Sequence, residues 1–202
     1  MSRAESQART RAALVETARV MFLRDGYAAT SMERVAEEAG FSKGAVYSNF
    51  AGKDALCLAV VETLTAEVAE AVRGALQQAV SQEAGLAAFD SWADARLGDP
   101  DWSALEAELM ARSRHDPGLR EALHDRNALL RSVIAEALLA GCARHGLVLQ
   151  VDADVASSAL LSLGFGLGIQ RAVTPSLPVR TISDVVRALV RQPPERATVT
   201  PT

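Results

Sequence analysis

The stretch 30–50, TSMERVAEEAGFSKGAVYSNF, constrains the fold more than any other part of the chain. It reads as a helix, a tight turn and a second helix. Thr30 is placed to N-cap the first helix, its hydroxyl accepting an orphan N–H three residues on, and Glu33 stands where a capping-box acid would reach back. Met32, Val35, Ala36 and Ala39 recur at helical spacing and form one apolar face. Gly40 ends that helix, because the position after a helix favours positive φ and glycine takes it without steric cost. Phe41 follows as an apolar plug, and Ser42 is a fresh N-cap. In the second helix Val46 and Phe50, four apart, are the buried face. Lys43, Gly44, Tyr47 and Ser48 are left on the opposite face, with Asn49 at its margin. A short helix with that outer face is shaped to approach something polar closely.

A helix-turn-helix lays its second helix in the major groove of DNA, leading with its N-terminal residues. At Thr30, Ser31, Val35, Ala36, Ala39, Gly40, Ser42, Gly44, Val46, Tyr47, Phe50, Lys53 and Leu56 the chain resembles the TetR family of bacterial transcriptional regulators. The matched pattern covers about a quarter of the chain, and residue type and spacing agree throughout. Ala45 stands where many members carry Thr, and Asn49 where they often carry His or Tyr. Both lie in or beside the base-reading part, so the operator sequence stays open. The resemblance implies an all-α homodimer: an N-terminal three-helix helix-turn-helix domain over 1–53 and a C-terminal helical ligand-binding and dimerisation domain over 54–191. Its DNA-facing residues would be Thr30, Ser42, Lys43, Gly44, Ala45, Tyr47, Ser48, Asn49 and Lys53. Lys43, Lys53 and the Tyr47 hydroxyl suit phosphate, because a cation or phenol at a helix start positions without reading sequence. Asn49, then Ser48 and Ala45, suit base edges: Asn can pair with adenine and Ala can meet a thymine methyl. A purely scaffolding helix-turn-helix is the alternative.

Formal charge is −4, at first sight wrong for a DNA partner. Charge is roughly balanced over residues 1–55, so the acidic excess lies in the remainder, and placement matters more than the sum. Arg3, Arg9 and Arg11 crowd the amino end, and the only two lysines, Lys43 and Lys53, bracket the second helix. Hydrophobic residues make up 49% of the chain, enough for a sizeable core, but aromatics only 4%. Alanine and leucine dominate, which favours helices, and no alternating β-branched run is long enough for a sheet. Cys57 and Cys142, far apart and with no secretory leader ahead of them, read as reduced thiols of a cytoplasmic protein. No apolar stretch reaches membrane-spanning length.

Taken in order, residues 1–6 are expected as a flexible basic arm and 7–25 as a helix with Ala8, Leu14, Ala18, Met21 and Phe22 facing the helix-turn-helix. Gly26 ends it, and the family resemblance packs Tyr27 into the small core. Arg11 could touch phosphate or simply face solvent. The helix 54–78 starts with Gly52 and Asp54 and carries Leu56, Ala59, Val60, Leu64, Val68, Ala71, Val72 and Leu76 along one stripe. It is the expected mechanical link, tilting the DNA-reading helices apart. Lys53 at its positive end calls for an anion, and a DNA phosphate fits. Further helices are expected at 83–97, at 103–115 capped by Asp101 or Ser103, at 117–145 with Pro117 at N1 and Gly146 as stop, from Asp152 or Asp154 to 173, and at 181–191. The tail 192–202 is rich in Pro and Thr and reads as disordered.

No catalytic or metal constellation emerges. Glu121 and His124 have the spacing of a di-iron half-site but no second copy, and Cys142 with His145 gives two ligands, too few for zinc. No phosphate loop or nucleophile elbow is present, so neither an enzyme nor a cofactor is implied. Gly164, Gly166 and Gly168 sit in one helix, where each costs roughly 0.5–1 kcal/mol relative to alanine. Close approach of another helix would compensate. Since the family dimerises through its last two long helices, 155–173 and 181–191 are the expected dimer face. Packing within the same subunit, or room for a ligand, are the alternatives. Phe89, Trp92, Trp102, Met110 and Phe165 are the pocket candidates for a small-molecule effector, though each could be plain core. The expected function is a repressor released from a near-palindromic double-stranded operator by that effector. An activator or dual regulator on the same fold, or a helical ligand-binding protein without DNA binding, are the rivals.

Overall fold

Two reciprocal hydrogen bonds settle where the first helix begins. Ser2 N–H donates to Glu5 Oε2 (2.7 Å) and Glu5 N–H to Ser2 Oγ (3.1 Å), a capping box. Helix α1, Arg3–Ala29, therefore takes up residues expected as a flexible arm. The computed structural model describes residues 2–77 and 80–192. Leu14, Ala18, Met21 and Phe22 are fully buried, whereas Ala8 is exposed, ahead of the point where the buried stripe starts. Gly26 interrupts α1 as expected, at φ +83°.

That interruption explains a correction. Thr30 does not cap the second helix and is buried rather than presented on the surface: it is 2% exposed, and its hydroxyl donates to Gly26 O (2.9 Å) and Met21 O (3.3 Å). A break in a helix leaves carbonyls without their usual donors, and Thr30 supplies one. The cap falls to Ser31, whose Oγ accepts from Arg34 N–H (3.3 Å) at the start of α2, Met32–Glu38. Gly40 turns at φ +74°, and Ser42 Oγ accepts from Ala45 N–H (3.2 Å) to start α3, Lys43–Asn49. Val46 and Phe50 are buried against Val35, Phe22 and Leu14 in one cluster.

Helix α4, Lys53–Gln77, leaves this module with Leu56, Ala59, Val60 and Leu64 buried and Val68 and Val72 half-buried. Next come α5, Gln82–Arg96, and α6, Pro100–Arg112. α6 starts earlier than expected because Asp99, not Asp101 or Ser103, is the cap: its Oδ1 accepts from Asp101 and Trp102 N–H (2.9 and 3.3 Å), with Pro100 at N1. α7, Pro117–His145, is capped by Asp116 and stopped by Gly146 at φ +64°. α8, Ala153–Val173, follows with Asp152 as cap, then α9, Thr181–Leu189.

α7 lies between α4 and α8, α5 packs on α4, α9 on α8, and α6 bridges α1 and α8. The hydrophobic cluster of the first three helices continues through Leu56 into Leu105 and Leu109 of α6 and Leu119 and Leu123 of α7. No seam in the core therefore coincides with residue 53. A two-residue pairing was not expected: β1, Val148–Leu149, runs antiparallel to β2, Val190–Arg191, with Val148 opposite Arg191 and Leu149 opposite Val190. It shortens the last helix by two residues and is too short for alternation to announce it. Of the tail expected as disordered, 193–202 lies outside the described residues.

Candidate nucleic-acid interface and the cavity behind it

The outer face of α3 is built as its sequence suggests. Ser42, Lys43, Gly44, Tyr47 and Ser48 are exposed, and Ala45 and Asn49 are half-buried at the edges. The polar groups are nevertheless engaged within the protein. Lys43 Nζ lies 2.7 Å from Glu33 Oε1, and the Tyr47 hydroxyl donates to the same oxygen (3.1 Å). Glu33 is thus no capping-box acid but an anion reaching from α2 to α3. Its bond from Lys43 brings the Glu33 carboxyl down to about 2. Ser48 Oγ and Asn49 Nδ2 both donate to Ala45 O (2.9 and 2.8 Å), folding these two side chains onto their own helix. Arg11 donates to Asn49 O (3.1 Å) and stacks 4.3 Å from the Phe50 ring centroid, tying α1 to the end of α3.

Lys53 is half-buried rather than free at a helix start. Its Nζ donates to Ala28 O (3.2 Å) and lies 4.2 Å from the Tyr27 ring centroid, and burial lowers its pKa. The Arg112 guanidinium lies 4.0 Å from the centroid of that ring. Arg112 also donates to the Tyr27 hydroxyl (3.2 Å) and to Asp54 Oδ1 (3.1 Å), while the Tyr27 hydroxyl donates to Asp54. Burial raises the Tyr27 phenol well above its usual value and pushes the neighbouring Cys57 thiol up to about 12. The Glu108 carboxylate of α6 accepts from Tyr27 and Ala28 N–H (2.8 and 2.9 Å), two amides just past the Gly26 break. Nothing local in the sequence announces this junction, since Tyr27 and Glu108 are far apart in the chain.

Behind α6 lies a cavity of about 640 Å³. Phe89, Trp92, Trp102, Met110 and Phe165, the five residues singled out from sequence, all line it. Both tryptophans of the chain are among them. The sequence reading missed the wall's charged groups: Arg19 paired with Glu67 (2.9 Å), Arg96 with Glu67 (3.5 Å), and Glu106 with Arg126. Helical periodicity makes α6 two-sided. Trp102, Glu106 and Met110 line the cavity, while Leu105, Leu109, Glu108 and Arg112 meet α1 and the core of the first module.

The three glycines of α8 divide between the readings left open for them. Gly164 and Gly168 both line the cavity. Gly168 packs within the subunit: a Cβ there would stand 3.8 Å from Leu97 Cδ2, and its carbonyl accepts from Ser103 Oγ (3.3 Å). Of the three, only Gly166 is not on the cavity wall; it shares a helical face with exposed Val155 and Val173. Glu121 and His124 are exposed. Among the described residues, no helix is long and apolar enough to cross a membrane.

Comparison with known proteins agrees with this layout. Residues 14–60 match the family model for bacterial regulatory proteins of the tetR family, and residues 81–192 the model for the BetI-type transcriptional repressor, C-terminal. The HTH-type transcriptional repressor AcnR of Corynebacterium efficiens is 26% identical over 188 residues, covering 91% of this chain and 94% of that protein. The HTH-type transcriptional repressor Rv1474c of Mycobacterium tuberculosis is 28% identical over 125 residues, covering 62% of each. Among solved structures, the reduced form of Escherichia coli NemR superimposes with a TM-score of 0.75 at 20% identity, over 92% of this chain and 99% of that one. The two matched models account for the reading helices and for the helical body that holds the cavity: the chain is a DNA-binding transcriptional regulator and belongs to the TetR family.

Proposed function

We propose that the chain is a homodimeric repressor that leaves its operator when a small molecule fills the cavity. The observation that carries this reading is α6, whose one face lines the cavity through Trp102, Glu106 and Met110 and whose other grips α1 through Glu108 and Arg112. A ligand that shifts α6 acts on Tyr27, Asp54 and Lys53, at the root of the DNA module. Such a ligand works only by binding the DNA-incompetent arrangement more tightly than the competent one. α4 is the second route, since it starts beside Tyr27 and borders the cavity at Leu64, Val68 and Val72. A cytoplasmic site of action fits a regulator of DNA. The functional units stay 1–53 for reading and 54–191 for sensing and assembly, even though one core joins them.

Two copies of α3 would enter successive major grooves ~34–36 Å apart on a near-palindromic site. Lys43, Lys53 and Tyr47 would hold phosphate, with Ser42 and Gly44 allowing close approach, and Asn49, Ser48 and Ala45 would face bases. The outward stripe of α8, Val155, Ala159, Ser162, Gly166, Ile169 and Val173, is apolar or small and fits a second copy. Gly166→Leu there would overpack such an interface, and sedimentation would shift toward monomer. The test of the whole reading is fluorescence anisotropy with DNA from upstream of the coding region. Sequence-selective binding by a dimer, lost when a cavity ligand is added, is expected. Equal affinity for scrambled DNA, or full operator affinity at ligand saturation, would refute it.

A further inference from the structure

We propose that the Glu106–Arg126 pair is a charge filter that restricts the cavity to uncharged, largely apolar ligands. The inference rests on the reading of the cavity as an effector site and specifies what that effector is. The pair is bidentate: Arg126 donates through one terminal nitrogen to Glu106 Oε1 (2.6 Å) and through the other to Oε2 (3.1 Å). Both side chains are about nine-tenths buried, at 10% and 7% exposed, and both residues line the cavity. The Arg126 guanidinium also lies 5.2 Å from the Phe165 ring centroid.

The other ionised wall groups are engaged as well. Glu67 is shared by Arg19 and Arg96, Arg19 also lies 3.2 Å from Glu16, and Asp99 is committed to the first amides of α6. Arg19, Arg96 and Arg126 therefore stand against Glu67, Asp99 and Glu106, three of each sign, with His145 as the remaining titratable base on the wall. The rest is dominated by aromatic and aliphatic side chains, and the volume suits a drug-sized molecule. Glu106 takes both terminal nitrogens of Arg126 and leaves only the buried Nε–H unpartnered, so an anionic ligand would have to displace Glu106 to gain the bidentate pairing. A cationic one could reach Glu106 only by displacing Arg126. Either exchange strands a buried charge, which is among the costliest changes a protein interior undergoes. A neutral ligand leaves the pair intact and gains from apolar burial alone.

The filter predicts its own inversion. Glu106→Gln keeps the shape of the wall but releases Arg126, which turns the site into a receptor for carboxylate. The probes are decanol, decanoate and decyltrimethylammonium below their micellar concentrations, and the readout is the fluorescence of Trp92 and Trp102, which both line the cavity. The full-length wild type is expected to bind decanol at least about tenfold more tightly than either charged probe. Glu106→Gln is expected to raise decanoate affinity relative to decanol by about tenfold or more. The double variant Glu106→Gln/Arg126→Gln should return to preferring decanol, which separates charge selection from a general loosening of the wall. Decanoate or decyltrimethylammonium binding as tightly as decanol in the wild type overturns the filter while leaving the cavity a ligand site. An unchanged ranking in a helical, dimeric Glu106→Gln does the same. No fluorescence response to any of the three probes removes the effector reading of the cavity, and the filter with it. If Glu106→Gln does not fold, the wild-type ranking alone decides.

Discussion

Helices α1–α3 and helices α4–α9 follow different packing rules. In α1–α3, helices as short as seven residues hold their shape because Leu14, Ala18, Met21, Phe22, Val35 and Val46 interlock with no exposed surface. In α4–α9, helices of nine to 29 residues surround about 640 Å³ of space, with Phe89, Trp92, Trp102 and Phe165 around it. Short helices gain little from their own hydrogen bonds and depend on packing. Long ones leave room for a void that a ligand can fill. On the proposed function, the contrast would separate the task of presenting fixed side chains to DNA from the task of responding to a small molecule. The Glu108 and Arg112 contacts join the two.

The largest effect should come from breaking the tight side of this comparison. Phe22→Ala is expected to destabilise the protein by about 3–5 kcal/mol, a typical cost for removing a fully buried ring. Phe165→Ala, on the cavity wall, should cost about 1 kcal/mol, near the average for point changes. Urea titrations of the two variants measure the difference, and equal losses would mean the cavity is not held open by its surrounding helices. Next in size is the joint. Glu108→Ala strips the acceptors from two amides, for about 1–3 kcal/mol. It should also weaken the coupling between cavity ligand and operator release, read as a smaller ligand-induced drop in DNA affinity.

On the reading face, Asn49→Ala is expected to cost on the order of 1–3 kcal/mol at one base position and relax preference there. Its side chain must first leave Ala45 O, so the gain from the native residue should fall at the lower end of that range. Lys53→Ala should weaken all DNA sequences alike and lower the salt slope by roughly one charge per subunit. If the slope stays unchanged, Lys53 remains on Ala28 O and Tyr27 in the complex. The smallest effect concerns Glu33, an exposed acid of α2 that holds Lys43 and Tyr47 of α3. Glu33→Gln should strengthen binding to any DNA by roughly 2–5-fold, the scale of an exposed ion pair. The folded carboxyl is depressed to about 2, so the pairing is fully present above the ordinary carboxylate range and fades only as pH falls toward about 2. The gain from Glu33→Gln should therefore be the same at about pH 6 and about pH 8, which anisotropy at the two pH values checks.

What the sequence determined by itself was carried by neighbours along the chain, although the Ser2–Glu5 box and the Asp99 cap, equally local, were not read from it. The turn at Gly40, the caps at Ser42 and Asp116, the stop at Gly146 and the buried pair Val46 and Phe50 each depend on residues a few positions apart. So did the helical body, because its apolar periodicity is local. The five cavity residues came from the family resemblance, which places a pocket in the second module, combined with the scarcity of large apolar side chains there. What only the tertiary structure decided depends on groups distant in sequence. Thr30 was lost to the interior because the break at Gly26 needed a donor, and Ser31 took the cap. Lys43 and Lys53 were found engaged with Glu33 and Ala28, the α8 glycines were divided between the cavity wall and the face beyond it, and Glu106 met Arg126 across two helices. Caps and periodicity are set by a backbone whose geometry is known in advance. The partner of a long polar side chain is set by where whole helices come to rest, and no spacing along the chain encodes that.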